Sequence, residues 1–160
     1  MRGRHDEEYV KVILNRSATL LSQAITMKPM SLLAVGHLGN TYLLHGELKL
    51  HVSCELRTLL AINNPIIGER PQGRVVNGLG DQFSSRAKIL SLLVSACEEF
   101  EELLARSGQK YRLALSIDGD DVRSLHNWGL ALSFRAQLIA DIGPEAAFDA
   151  DKPFLAAIKI

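Results

Sequence analysis

Stretch after stretch of this 160-residue chain carries apolar side chains at three- and four-residue intervals, and no run sustains the alternation of apolar and polar residues that a half-buried strand needs. Only a 3.6-residue repeat gathers such positions on one face, so the spacing predicts helices. Val10, Ile13, Leu14, Leu20, Leu21, Ala24 and Ile25 place an amphipathic helix over about 7–27, and Pro29 ends it. Leu32, Val35, Leu38, Tyr42 and Leu43 carry the period to His45. Gly46 then reads as a stop before a further helix over 48–62, so the two fold back on each other. From Ser85 the pattern returns in Ile89, Leu90, Leu93, Val94, Cys97, Phe100 and Leu104, with Gly108 as a candidate break and Tyr111 to Ile117 as its continuation. Asp118-Gly-Asp-Asp121 stops that helix, and the carboxylate of Asp120 or Asp121 caps the next, over about 122–140. Gly143-Pro144 turns the chain into a last helix over 145–160, which Pro153 bends or delays.

Between the second and third periodic stretches, residues 63–84 carry Pro65, Gly68, Pro71, Gly73, Gly78 and Gly80, and read as a long loop. The chain balances 18 basic against 18 acidic residues, which argues against a nucleic-acid or anionic-membrane binder. Its 47% hydrophobic content is enough for a sizeable core. Two cysteines, Cys54 and Cys97, supply neither a disulfide framework nor a zinc module, and on apolar helix faces they act as small hydrophobes. The start, Met1 to Glu8, is too acidic for a secretory signal or transit peptide, so a cytoplasmic setting is expected. Residues 29–46 lack charged side chains, yet Ser31, His37, Asn40, Thr41 and His45 make them too polar to cross a bilayer. Asn15-Arg-Ser17 matches a glycosylation sequon by chance, inside a helical pattern.

Leu38-Gly39 followed by Tyr42 and Gly46, and Trp128-Gly129 followed by Leu132, resemble the first helix of a tetratricopeptide repeat, where a small residue lets the second helix approach. Tyr111, Ala114 and Ile117 before the 118–121 turn resemble the end of a second helix, with Gly119 in place of the usual proline. Ala147, Ala150, Phe154 and Ala157 resemble another. Gly39 and Gly129 stand 90 residues apart, about 22 more than two repeats of about 34, and the loop 63–84 supplies 22. In that phase the middle repeat places its small residue at Ser95. His51 and Glu55 depart from the pattern, standing where a small and an aromatic residue belong. The resemblance implies an all-α fold: antiparallel helical hairpins stacked as a short, right-handed, tetratricopeptide-like α-solenoid. It divides the chain into an N-terminal helix (1–28), a first hairpin (29–62), the loop (63–84), a second hairpin (85–119) and a third (120–160). Residues 115–160 also resemble plant tetratricopeptide-like proteins, among them one linked to trans-Golgi trafficking and actin. That likeness implies a setting peripheral to trans-Golgi or endosomal membranes.

Catalytic chemistry finds little support in the sequence. His37, His45, His51 and His126 lack metal or nucleophile–base spacing, and Arg123 stands where a calcium loop needs glycine. Asn77-Gly-Leu-Gly80 is too short for a phosphate cradle, and Glu98, Glu99, Glu101 and Glu102 read as a solvated face. Tyr111 and Trp128 are expected in the core. The expected function is therefore a non-catalytic scaffold, without cofactor or metal, that binds a peptide or helix of a partner protein in a concave groove, with His37, Asn40, Arg123, Asn127 and Arg135 as contacts. The alternative is a structural homo-oligomer, pairing through an apolar C-terminal helix, or a piece of a longer helical array. An enzyme ranks third.

Overall fold

The computed structural model describes residues 2–62 and 79–142, which form four helices: α1 (Arg2–Met27), α2 (Leu32–Ile62), α3 (Leu79–Ile117) and α4 (Val122–Ile142). The fold is all-α, and no strand occurs among the described residues. The final helix expected over 145–160, with Ala147, Ala150, Phe154 and Ala157, lies outside them, as does most of the loop 63–84. Residues 79–84, read as the end of that loop, are the first turns of α3.

Two joints expected from glycine are continuous helix. Gly46 sits inside the 31-residue α2 and Gly108 inside the 39-residue α3, so 32–62 and 79–117 are single long helices rather than hairpins folded at those points. At Gly46 the physical reason is a close packing contact, since a Cβ there would come within 3.3 Å of Leu104 Cδ2; at Gly108 a Cβ would make only ordinary contact, 3.6 Å from Trp128 Nε1. At Gly39 the approach is tighter, with 2.7 Å to Tyr111 Cε1. Helix interiors lose about 1 kcal/mol to each glycine, and packing of the facing helix offsets that loss.

These contacts define a register. Gly39 faces Tyr111 and Gly46 faces Leu104, a step of seven residues on each helix in opposite directions. One more step brings fully buried Ser53 opposite Cys97. The ion pair Lys49–Glu99, at 2.7 Å, falls in the same frame. α2 and α3 are thus antiparallel, joined along a seam of small residues on α2 and bulky ones on α3, the arrangement that seven-residue spacing favours in long paired helices. Leu43, Leu50, Phe100, Leu104 and Tyr111 fill this seam, and Ala131 and Leu138 of α4 close it, with Trp128 and Phe134 half-buried at its edge.

α1 rests on α2, while α4 packs on α3 and on α2. The turn from α1 runs through Lys28 to Ser31, and the Ser31 hydroxyl accepts a hydrogen bond from Ala34 N–H at 3.3 Å, capping α2. Asp121 caps α4. Its carboxylate accepts from the Ser124 hydroxyl at 2.6 Å, from Ser124 N–H and from Arg123 Nε, which holds its acid below the ordinary carboxylate range. No described helix is long and apolar enough to cross a membrane.

Candidate functional site

Two concave features lie on opposite flanks of α2. The larger, about 560 Å³, runs between α1 and α3, with α2 as its floor. α1 contributes a polar stripe, Asn15, Thr19, Ser22, Gln23 and Thr26, at the spacing of one helix face. Thr19, Ser22 and Thr26 donate their hydroxyl hydrogens to carbonyls of their own helix four residues back, so their oxygens face outward as acceptors. The α3 wall carries Glu99, Glu102 and Arg106. Glu102 pairs with Arg106, whose guanidinium lies 5.9 Å from the centre of the Tyr42 ring. Lys49 donates to Glu99 and thereby keeps that carboxyl below its ordinary pKa.

His45 lies on the groove floor. It is buried, and its Nε2 has no hydrogen-bond partner among the described residues. Burial lowers its pKa, and the charges of Lys49 and Lys11 lower it further against the opposing pull of Glu99. The imidazole is therefore held neutral, the form that costs least to bury.

The second feature is a shallow cleft of about 30 Å³ between the N-terminal ends of α2 and α4, lined by His37, Asn40, Arg123 and Asn127 among others. It brings together four of the five residues expected to meet a partner. Asn40 and Asn127 point at each other: Asn40 Oδ1 accepts from Asn127 Nδ2 at 2.8 Å and from the Tyr111 hydroxyl at 3.0 Å. Burial raises the pKa of Tyr111, so its phenol keeps the proton it donates. These side chains tie α2, α3 and α4 to one another. His37 and Arg123 are exposed at the cleft mouth, where the large apolar side chain of Leu33 also meets solvent.

Arg135 is elsewhere. Its Nε donates to Glu101 at 3.0 Å, and both side chains are only 11% exposed, so the residue joins α4 to α3 instead of facing a groove. Of the three small residues that the repeat phase puts between helices, Gly39 alone has a close neighbour. Ser95 is exposed and bonds Glu99, and a Cβ on exposed Gly129 would meet nothing within 4 Å. Tyr111 is fully buried, and Trp128 packs half-buried on the core.

His126 and His51 are exposed on separate helices, and no group of three metal-ligating side chains occurs among the described residues. The α1–α3 groove was missed from sequence, although the polar stripe at 15, 19, 22, 23 and 26 carried a signal for it. No protein-family model, curated protein or solved structure matches the chain.

Proposed function

We propose that the protein is a non-catalytic helical scaffold that seats a segment of a partner protein in the groove between α1 and α3. The carrying observation is the groove itself: about 560 Å³ of open space between two helices that both rest on α2 and make no close contact with each other. That volume falls in the range of binding clefts. Its lining of hydroxyl acceptors, carboxamides and an Arg106–Glu102 pair suits the backbone and polar side chains of a peptide.

The cleft with His37 and Arg123 is an adjoining contact surface in this reading. Stacking in the manner of a tetratricopeptide solenoid enters it through Gly39 alone, since Ser95 and Gly129 lack the close packing that the repeat assigns them. A cytoplasmic setting peripheral to trans-Golgi or endosomal membranes, with a role in vesicle trafficking or cytoskeletal organisation, rests on the resemblance of residues 115–160.

The test is capture of partners from native extract with the wild-type chain, Ser22→Arg with Gln23→Arg, and His37→Ala with Arg123→Ala. Both substituted pairs sit on exposed positions, so helix content should stay constant. Loss of a captured protein with the first pair supports the groove. Loss with the second pair alone moves the site to the cleft, and an unchanged set removes both.

Self-association is a second reading with its own observation. Tyr9, Ile13, Leu20 and Met27 share an outward stripe of α1, and Met27 is 87% exposed. Light scattering separates the two, because a monomer at high concentration leaves only the scaffold.

A further inference from the structure

Cys54 and Cys97 are far apart in sequence and were read as two small hydrophobes. The α2–α3 register brings them together: Ser53 lies opposite Cys97, and Cys54 is the next residue on α2. The charges of both Arg57 and Cys54 act on Cys97, in keeping with that register. Both are free thiols, and both are partly exposed, at the seam where α4 ends. Arg57 sits over the pair. Its Nη2 donates to Cys54 Sγ at 3.4 Å and to Ser53 Oγ at 3.2 Å, its Nε donates to the Ser53 carbonyl at 3.2 Å, and Asp141 of α4 holds it from the far side at 3.4 Å. A guanidinium anchored on so many sides is a fixed positive charge beside the Cys54 sulfur, placed to stabilise the negative charge that develops there when a peroxide is attacked. The same guanidinium charge also reaches Cys97, where it works against burial. Burial nevertheless raises the pKa of Cys97, so it waits as the thiol that resolves the first oxidation product.

We infer that Cys54 and Cys97 are a redox-modifiable pair that closes to an intramolecular disulfide between α2 and α3 when the protein meets a hydroperoxide. Cys54 sulfur attacks the peroxide, the O–O bond breaks, one water leaves, and the sulfur becomes a sulfenic acid. Cys97 sulfur then attacks that sulfur, the S–O bond breaks, the S–S bond forms and a second water leaves. Overall two thiols and one hydrogen peroxide give one disulfide and two waters: the sulfurs lose two electrons and the peroxide gains them. The cross-link pins the two longest helices to each other about 20 Å along α2 from the Asn40 junction, at 1.5 Å per residue. It leaves the His37–Arg123 cleft unchanged.

The experiment treats the folded full-length chain with hydrogen peroxide and digests it with trypsin under conditions that block thiol exchange. The expected product is a monomer lighter by the mass of two hydrogens, in which the peptide of residues 50–57 is joined to that of residues 89–106. Cys54→Ser and Cys97→Ser each abolish the link, and Arg57→Ala slows its formation several-fold without removing it. A trivalent arsenical, phenylarsine oxide, provides a second readout that needs no oxidant. It should be held by the folded wild type at one per chain and released by either serine variant. Oxygen addition to each cysteine separately, cross-links only between molecules, or no arsenical retained would each overturn the pairing.

Discussion

Gly39 and Gly129 are both helix-interior glycines, and the same substitution should move stability in opposite directions at the two. Replacing a glycine inside a helix with alanine gains about 0.8–1 kcal/mol from backbone entropy alone. At Gly129 nothing lies within 4 Å of the new Cβ, so that gain should appear undiminished. At Gly39 the Cβ would sit 2.7 Å from Tyr111 Cε1, 3.0 Å from Cδ1 and 3.3 Å from Lys110 Cβ. The Tyr111 ring cannot swing aside, because it is fully buried and its hydroxyl is bonded to Asn40, the neighbour of the glycine. Relief therefore requires α2 and α3 to part, and overpacking of this kind costs about 1–3 kcal/mol. The net change at Gly39 is a loss of up to about 2 kcal/mol, and the difference between the two variants is about 1–3 kcal/mol. Urea unfolding followed by circular dichroism reads this difference as a separation of the two midpoints by about 1 M, for a slope near 2 kcal/mol per molar. A double variant, Gly39→Ala with Tyr111→Leu, should show a favourable coupling, because the smaller side chain makes room for the methyl group. Gly39→Ala stabilising the chain as much as Gly129→Ala would refute the register. A large loss at Gly129 would instead restore the tetratricopeptide packing there.

Asn40→Ala strands the Tyr111 hydroxyl and the Asn127 amide together, and thermal unfolding should register a loss of about 2 kcal/mol; Asn127→Ala, which leaves Asn40 its tyrosine donor, should cost about 1 kcal/mol. Arg135→Ala removes the cation bonded to the largely buried Glu101 carboxylate at the α3–α4 junction and should cost about 3 kcal/mol, whereas Arg135→Met combined with Glu101→Leu should recover most of that loss in the same melt. The pH dependence follows from His45. Its folded pKa lies below the ordinary 6.5, so the unfolded chain binds more protons, and stability present above pH 6.5 is lost as pH falls through the folded value. Glu99 and Asp121 are depressed from 4.5 and 3.8, and their contributions fade only at lower pH. His45→Gln should therefore flatten the stability profile just below pH 6.5 in urea titrations and leave the steeper acid limb intact.

Helix positions were readable from the sequence because apolar spacing is a local property: Pro29 ends α1 and an aspartate caps α4 where expected. Helix lengths were not, and the reason is specific. A glycine with a role at a helix end and a glycine that admits a facing side chain look identical along one strand of sequence. Gly46 reads as a break, yet Leu104 is what it accommodates, and α3 runs through Gly108 without interruption. The distinguishing signal lies in a second helix. Gly39, Gly46 and Ser53 recur every seven residues, as do Cys97, Leu104 and Tyr111 in the opposite sense, and only the two series together specify one long antiparallel seam.

The same distinction governs the site residues. Asn40 and Asn127 are 87 positions apart, and nothing local to either says that one accepts the other's hydrogen bond. A half-buried carboxamide on a helix reads as a binding group when its partner is unknown. Once the partner is the neighbouring helix, its loss is a loss of stability. Replacing Asn127 or Arg135 would therefore reduce partner capture even if neither touched a partner, because each joins α4 to the rest of the bundle. Only side chains that reach solvent without an internal duty can separate binding from folding. On the cleft His37 fits that description fully, and Arg123 nearly so, its side chain being 71% exposed with one bond to the α4 cap. On the groove it is the polar stripe of α1, whose hydroxyl hydrogens are already spent on their own helix while the oxygens remain open to a donor from outside.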